Sequence, residues 1–375
     1  MKSYLILTIN PGSTSTKIGL FRDEKKIFIT NITHQASEME KFPTINDQYD
    51  YRRDLIVKEV EAHGYRMEDV DVFSARGGRM VPCSGGVYEI DDTILAASPI
   101  DKPIPHAMLM SPHFAAEFAR SYNGVAYTMN PQSVDEFMDK ARVTGFHDAW
   151  RTSAVHSLNQ KEVGVRVAKQ LGKKYEELNM VIAHVGGGIT ITAHKKGKMV
   201  DSTHSGYGDG PMAPTRSGSI PVHDVIVQCF SGKYTEEQMH KRVGQTGGLV
   251  DHIGLSDVRE VEKKIADGDS YARLILDGMY YQIAKHIASM TVALEGSVDA
   301  VVLTGGISRS QSFIESMNRQ VGWIAPMVVM AGEFEMEALA NGALRVLRGE
   351  EAPQTYTGKP VFNYADVTAT RQVYQ

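Results

Sequence analysis

Three short turns, each directly behind an apolar run, carry the residues best suited to chemistry: Ile9-Asn10-Pro11-Gly12-Ser13-Thr14-Ser15-Thr16-Lys17, Ala183-His184-Val185-Gly186-Gly187-Gly188-Ile189-Thr190, and Val302-Leu303-Thr304-Gly305-Gly306-Ile307-Ser308. Glycine lets backbone N–H groups approach a phosphate with no Cβ in the way, Ser and Thr hydroxyls add donors, and Lys adds a charge. One such turn is ordinarily a plain hairpin. Three in a repeated setting point to a nucleotide. The first is not a Walker A loop, because it lacks the G-x-x-x-x-G-K-[ST] spacing and leads into a strand, and it is not a Rossmann fingerprint either.

The turns need strands to aim them. Residues 4–34 read as three strands: an apolar run to Ile9, then Lys17 to Phe21, a charged turn at Asp23-Glu24-Lys25-Lys26, and Ile27 to Ile32. Residues 179–204 repeat that plan, with Met180 to His184, Ile189 to Ala193, a turn at Lys195-Lys196-Gly197-Lys198, and Met199 to Asp201. The two copies lie too far apart for a solenoid period, so they predict one domain type used twice, with a ligand cleft between similar lobes. Residues 107–122 and 157–172 read as helices. A long helical pattern over 256–297 carries Ile275, Met279, Ile283, Ile287 and Met290 as a core stripe. Residues 298–306 read as a buried strand, followed by a helix over 310–321. The expected class is α/β, with lobes 1–178 and 179–352 and an irregular polar tail, 353–375, that shows no obvious chemistry.

Composition limits the choices further. A chain of 375 residues suits two domains, and a net charge of −5 with 23% charged residues offers no basic surface for nucleic acid. Cys83 and Cys229 stand far apart, which suggests reduced, structural thiols and neither a disulfide framework nor a cysteine metal site. The N-terminal run is too short for a secretory segment and no stretch is apolar enough to span a bilayer, so a cytoplasmic protein is expected.

The first turn resembles the opening phosphate segment of the acetate and sugar kinase, chaperone and actin superfamily. Within it, the chain resembles the butyrate kinases of the acetokinase family from Leu5 to about Glu351. The strings that carry this are RGG at 76–78, GGVYEID at 85–91, HSLNQK at 156–161, AHVGGGI at 183–189, GPMAPTRSGSIP at 210–221, GGLVDHIGLSDVREVE at 247–262 and MEALANGALRVLRGEE at 336–351. The resemblance implies two duplicated actin-like, ribonuclease H-like lobes and ATP-dependent phosphorylation of a short-chain fatty acid to an acyl phosphate. It also implies Mg²⁺, and a homodimer or higher homo-oligomer. Asn10, Gly12, Ser13, Ser15 and Lys17 would line the transferring phosphate and its metal, while Arg76 and Arg216 would clamp the carboxylate and the migrating phosphoryl group, a task suited to planar guanidinium forks. His156 would steady the transition state, and His184, Gly186, Gly187 and Gly188 would meet the nucleotide phosphates. Asp257, Val258, Arg259, Gly305, Gly306 and Ile307 match the adenosine side. Glu335 matches the Mg²⁺ carboxylate and His106 the substrate-side histidine. Apart from the resemblance, an arginine in such a turn is usually solvated and a strand histidine is usually a hydrogen-bonded core residue.

The chain departs from this pattern in two places. Asn130, in Thr128-Met129-Asn130-Pro131, stands where these kinases carry a catalytic aspartate. A carboxylic acid has a pKa of roughly 4 to 5 and is already a nucleophile at neutral pH, so no general base is required. The loss of one charge therefore predicts slower turnover or a changed metal requirement. The alternatives are a catalytically weakened nucleotide-binding member, or a phosphatase of the same superfamily. The segments Ala107 to His113 and Thr203 to Gly208 also depart from the family's usual residues and are expected near the acyl site, so the expected acid is butyrate or a branched analogue.

Overall fold

The structure is a computed structural model that describes residues 2–78, 80–101, 104 and 106–363. Contacts divide the chain into two compact units, one of Met1–Asp135 with Phe334–Gln375 and one of Glu136–Glu333.

Unit 1 is built on a six-stranded sheet of β1 (Leu5–Pro11), β2 (Ser15–Arg22), β3 (Lys25–Thr33), β4 (Val72–Ala75), β5 (Val87–Glu89) and β6 (Val125–Met129), in the order β3-β2-β1-β4-β6-β5. The meander β1–β2–β3 is antiparallel, whereas β4 and β6 run parallel to β1, with Ile9 beside Ala75 and Ala75 beside Thr128. Leu5, Leu7, Ile9, Ile18 and Leu20 pack with Phe73, Phe114 and Phe118 in its core. This alternation on the meander is the period-2 pattern that the sequence displays.

Unit 2 repeats the arrangement with β7 (Asn179–Val185), β8 (Ile189–Lys195), β9 (Lys198–Ser202), β10 (Ala300–Gly305) and β11 (Met327–Ala331), in the order β11-β10-β7-β8-β9. Again an antiparallel meander is extended on one side by parallel strands. The duplication read from the sequence is therefore present in topology. β5 is an antiparallel addition to unit 1.

The structure differs from the sequence reading in three details. The units part at 135/136 and 333/334, not at 178/179 and 352/353. One reason is that the helix Glu335–Leu347 packs back on the first sheet, where the Ser74 hydroxyl donates to Leu339 O at 2.8 Å. The segment 136–178 belongs to unit 2, where Met138 N–H donates to Val200 O and Asn159 on the helix Ser157–Gln170 bonds His184 on β7. The pattern over 256–297 is two helices, Val258–Ala266 and Ser270–Ala293, broken at Gly268 (φ 99°) and restarted by Asp269, whose carboxylate caps Ala272 N–H. Its stripe does serve the core: Met279, Ile283, Ile287 and Met290 are buried and Ile275 packs beside them. The described part of the tail is irregular, as expected, although Tyr356 within it is buried and accepts a hydrogen bond from Val81 N–H; residues 364–375 lie outside the described residues. Cys83 is buried but Cys229 is exposed. No helix among the described residues is long and apolar enough to cross a membrane.

Candidate functional site

Each unit gathers its candidate residues at the carboxyl ends of its parallel strands, the position where open α/β sheets bind ligands. In unit 1, β1 ends at Asn10 and Pro11 and β4 ends just before Arg76, whose N–H donates to Ile9 O at 3.0 Å. Glu335, the first residue of its helix, joins them. Its Oε2 accepts from Asn10 Nδ2 at 3.0 Å and from Arg76 Nη1 at 2.8 Å. The structure thus brings Asn10, Arg76 and Glu335 into one cluster. His106 reaches the turn beyond Asn10. Its Nδ1 accepts from Met108 N–H, so in the neutral ring Nε2 carries the proton and donates to Ser13 Oγ at 3.0 Å. Burial, then the charges of Arg76 and Arg52, favours that neutral form by holding the imidazole below its usual pKa. Lys17 pairs with Asn10 across the β1–β2 ladder and, among the described residues, has no ion-pair partner.

The turn Gly12–Ser15 rests on a residue the sequence reading passes over. Arg52 is fully buried, donating from Nη1 to Gly12 O at 2.9 Å and to Thr16 Oγ1 at 3.1 Å, from Nη2 to Ser13 O at 3.0 Å, and from Nε and Nη2 to Gln48 Oε1. Burial lowers its pKa to about 10, still well above neutrality. His34 Nε2 meets the same Thr16 hydroxyl at 2.9 Å, and burial next to Arg52 pushes its pKa down to about 4, so it is neutral.

Asn130 lies at the end of β6 with φ 40° and is nearly buried. Its Oδ1 accepts from Gly86 N–H at 2.8 Å while its own N–H donates to Gly86 O at 3.0 Å, a two-bond ring that ties it to the Gly85-Gly86 turn. Leu109 and Met110 fill the core of unit 1, and His113 bonds Ser98 O, so these members of the 107–113 segment are structural in unit 1.

In unit 2 the turn Gly186–Gly188 follows β7 and is closed by Gly186 N–H to Gly188 O at 3.0 Å. Arg216 lies against Gly188 so closely that a Cβ there would collide with its guanidinium. Its Nη1 is buried with no hydrogen-bond partner among the described residues, and burial lowers its pKa. An unpaired buried guanidinium nitrogen is costly unless an anion meets it. His156 and His184 stack with ring centroids 4.0 Å apart and planes 9° apart, and His184 Nε2 lies 4.0 Å from Glu333 Oε1.

Gly305 ends β10, the strand parallel to β7, and Gly306 and Ile307 follow it, so their turn neighbours Gly186–Gly188. Gly305 has φ 91°, and a Cβ on it would enter the Val185 backbone. Asp257 caps the helix Val258–Ala266 and Val258 is buried in the core, but the highly exposed Arg259 folds back onto Asp257 at 2.5 Å. In the structure Asp257 is thus a helix cap, Val258 a core residue and Arg259 an exposed partner of Asp257. Sequence reasoning also missed Asn159, Gln160, Thr190, His194 and Thr304. The first two sit in the quoted HSLNQK string, and only burial reveals that their amides face inward.

No group of three or more His, Cys, Asp or Glu suited to a metal occurs among the described residues. The acetokinase family model matches residues 128–324, more than half of the chain. Among solved structures, acetate kinase from Porphyromonas gingivalis superposes with a TM-score of 0.75 at 18% identity, covering 92% of this chain and 100% of that one. Propionate kinase from Francisella tularensis gives 0.69 at 19% identity (90% and 98% covered), and acetate kinase from Entamoeba histolytica 0.70 at 16% (90% and 98%). At these identities the likeness establishes the two-lobed α/β fold.

Proposed function

Because the chain belongs to the acetokinase family, we propose that it transfers the γ-phosphoryl group of ATP to a short-chain carboxylic acid, butyrate or a branched analogue, giving an acyl phosphate and ADP, reversibly. The observation that carries this reading is the buried, unpartnered Nη1 of Arg216 against the Gly186–Gly188 turn, a positive group that lacks only an anion. Phosphoryl transfer to a carboxylate needs alignment of two anions and neutralisation of charge, and no proton abstraction. That requirement matches a chain with arginines, histidines and glycine turns but with asparagine at position 130. The narrower preference for butyrate rests on the sequence strings alone. Each methylene in an apolar pocket is worth only about 0.8 kcal/mol, so several acids should serve.

The donor set fits Mg²⁺, which normally takes one or two carboxylates and completes its shell with phosphate oxygens and water. Glu335, with Asn10 beside it, would hold the ion, which when bound would neutralise charge on the transferring phosphoryl group. The reading further includes a cytoplasmic homodimer or larger homo-oligomer, as the family resemblance implies.

Asn130 supports a second reading. Its amide oxygen is taken by Gly86 and it brings no negative charge, which suits a member that binds nucleotide and transfers slowly. Hydroxylamine trapping with Mg-ATP and acids from acetate to branched valerates decides between them. Hydroxamate from the wild type supports the kinase and names its acid, and Asn130→Asp should then raise kcat about tenfold, the effect of one charge-assisted contact. Product from Asn130→Asp alone would favour the weakened member, and phosphate release without acid would indicate a hydrolase.

A further inference from the structure

His156 and His184 stack on each other in unit 2, and what an imidazole does depends on which nitrogen holds its proton. In this unit the surrounding buried amides and hydroxyls settle that question. Gln160 is fully buried on the helix Ser157–Gln170, and its Nε2 lies 3.1 Å from Thr190 O and 2.9 Å from Thr190 Oγ1. A backbone carbonyl only accepts, so the amide nitrogen must face Thr190 and Oε1 must face the other way. There Oε1 meets His194 Nε2 at 3.0 Å, and because Oε1 only accepts, that nitrogen carries the proton. His194 is kept neutral by complete burial, so its Nδ1 is a lone pair that accepts from the buried Tyr175 hydroxyl at 2.5 Å.

At the other end, Thr190 Oγ1 already receives the Gln160 N–H. The hydroxyl proton is left for His156 Nδ1, at 2.8 Å. An Nδ1 that accepts leaves the ring proton on Nε2. Thr190 and His194 are four residues apart on β8 and so share one face, which lets one glutamine bridge them. A separate pair of contacts reaches the same result for His184. The Thr304 hydroxyl donates to Gly332 O at 3.0 Å, so it accepts from Asn159 Nδ2 at 3.2 Å, and the same amide nitrogen donates to His184 Nδ1 at 3.0 Å.

We propose that the buried chain Tyr175–His194–Gln160–Thr190 is a positioning network that locks His156 in its Nε2–H tautomer, and that Asn159 and Thr304 do the same for the stacked His184. Both rings are then neutral donors, suited to a phosphoryl oxygen and unsuited to removing a proton through Nε2. That last role rests on the kinase reading; the tautomers do not.

The test uses the full chain labelled with ¹⁵N-histidine, and reads the two-bond ¹⁵N–¹H pattern of each imidazole, with His156 assigned by the signal lost in His156→Gln. The expected pattern is an unprotonated Nδ1 and a protonated Nε2 for His156 in the wild type. A protonated Nδ1 overturns the proposal. Thr190→Val removes the hydroxyl and should give a mixture of tautomers. In the acyl phosphate assay it should lower kcat about tenfold, with KM for ATP and acid within about twofold, as loss of one transition-state contact requires. Thr190→Ser keeps the hydroxyl and should restore both tautomer and kcat; a serine variant as impaired as valine would show a packing role and overturn the positioning claim. A wild type with the predicted tautomer that forms no acyl phosphate upholds the network and strikes only the kinase reading.

Discussion

Arg52 and Arg216 each stand beside a glycine turn, one in each unit, and they are opposites. Arg52 is wholly buried and uses its guanidinium on Gly12 O, Ser13 O, Thr16 and Gln48. Arg216 packs on Gly188 with a buried Nη1 that has no hydrogen-bond partner among the described residues. The first arginine holds its turn in shape, and the second, in the function proposed above, would offer its donor to a ligand. Duplicated topology has thus been supported in two different ways, by a buried charge beneath the first turn and by neutral amides and hydroxyls around the second.

Exchanging each arginine for methionine should pull stability and activity apart. Arg216→Met is expected to lower kcat/KM about 10³-fold, the scale of an arginine that stabilises transferring phosphoryl charge, while the melting temperature holds or rises because an unsatisfied buried group has gone. Arg52→Met should instead destabilise the fold by about 3 kcal/mol, since Gly12 O and Ser13 O lose their donors, and urea unfolding would read this directly. Equal stability losses in the two variants would break the comparison. A milder probe is Gly188→Ala. The added methyl must displace the Arg216 guanidinium, whose flexible stem can yield, so kcat should fall about 10²-fold with little change in stability.

The smallest expected effect concerns pH. His34 has its pKa lowered to about 4 by burial and by Arg52, against about 6.5 in the unfolded chain. Between those values the unfolded state binds a proton that the folded state refuses, so stability is lost as pH falls from about 6.5 to about 4. His34→Gln should flatten that decline, as followed by urea midpoints at each pH, and an unchanged slope would remove His34 from the support of the first turn.

The two arginines also show what a sequence reveals. Arg216 stands in a string whose neighbours, Thr215, Ser217 and Gly218, mark it as a motif, whereas Arg52 stands in Tyr51-Arg52-Arg53-Asp54, which reads as a solvated helix face. Only the fold shows that Arg52 turns inward while Arg53 pairs with Asp50 and Asp54. The meanders were legible because alternation along a strand is local, and the glycine turns because backbone approach demands that residue type. The break at Gly268 was hidden because the stripe, Ile275 to Met290, lies wholly beyond it and gives no sign of where its helix begins. The unit boundary was hidden because nothing in the residues of the helix Glu335–Leu347 says which sheet it covers. At the site, Asn10, Arg76 and Glu335 come together from three distant stretches of sequence, while Arg259 is exposed and paired to its own cap. Asn159 and Gln160 lay in plain view, but the direction of a buried amide follows from tertiary contacts that composition does not encode.

The central claim is that this chain passes a phosphoryl group between ATP and a carboxylate. Its most direct test runs the reaction backwards, supplying Mg-ADP with acyl phosphates of two to five carbons and following ATP by luminescence. The account predicts ATP formation with butyryl phosphate or a branched relative among the best donors, abolished in Arg216→Met. No ATP from any of these donors, from a folded protein that still binds Mg-ADP, would contradict it.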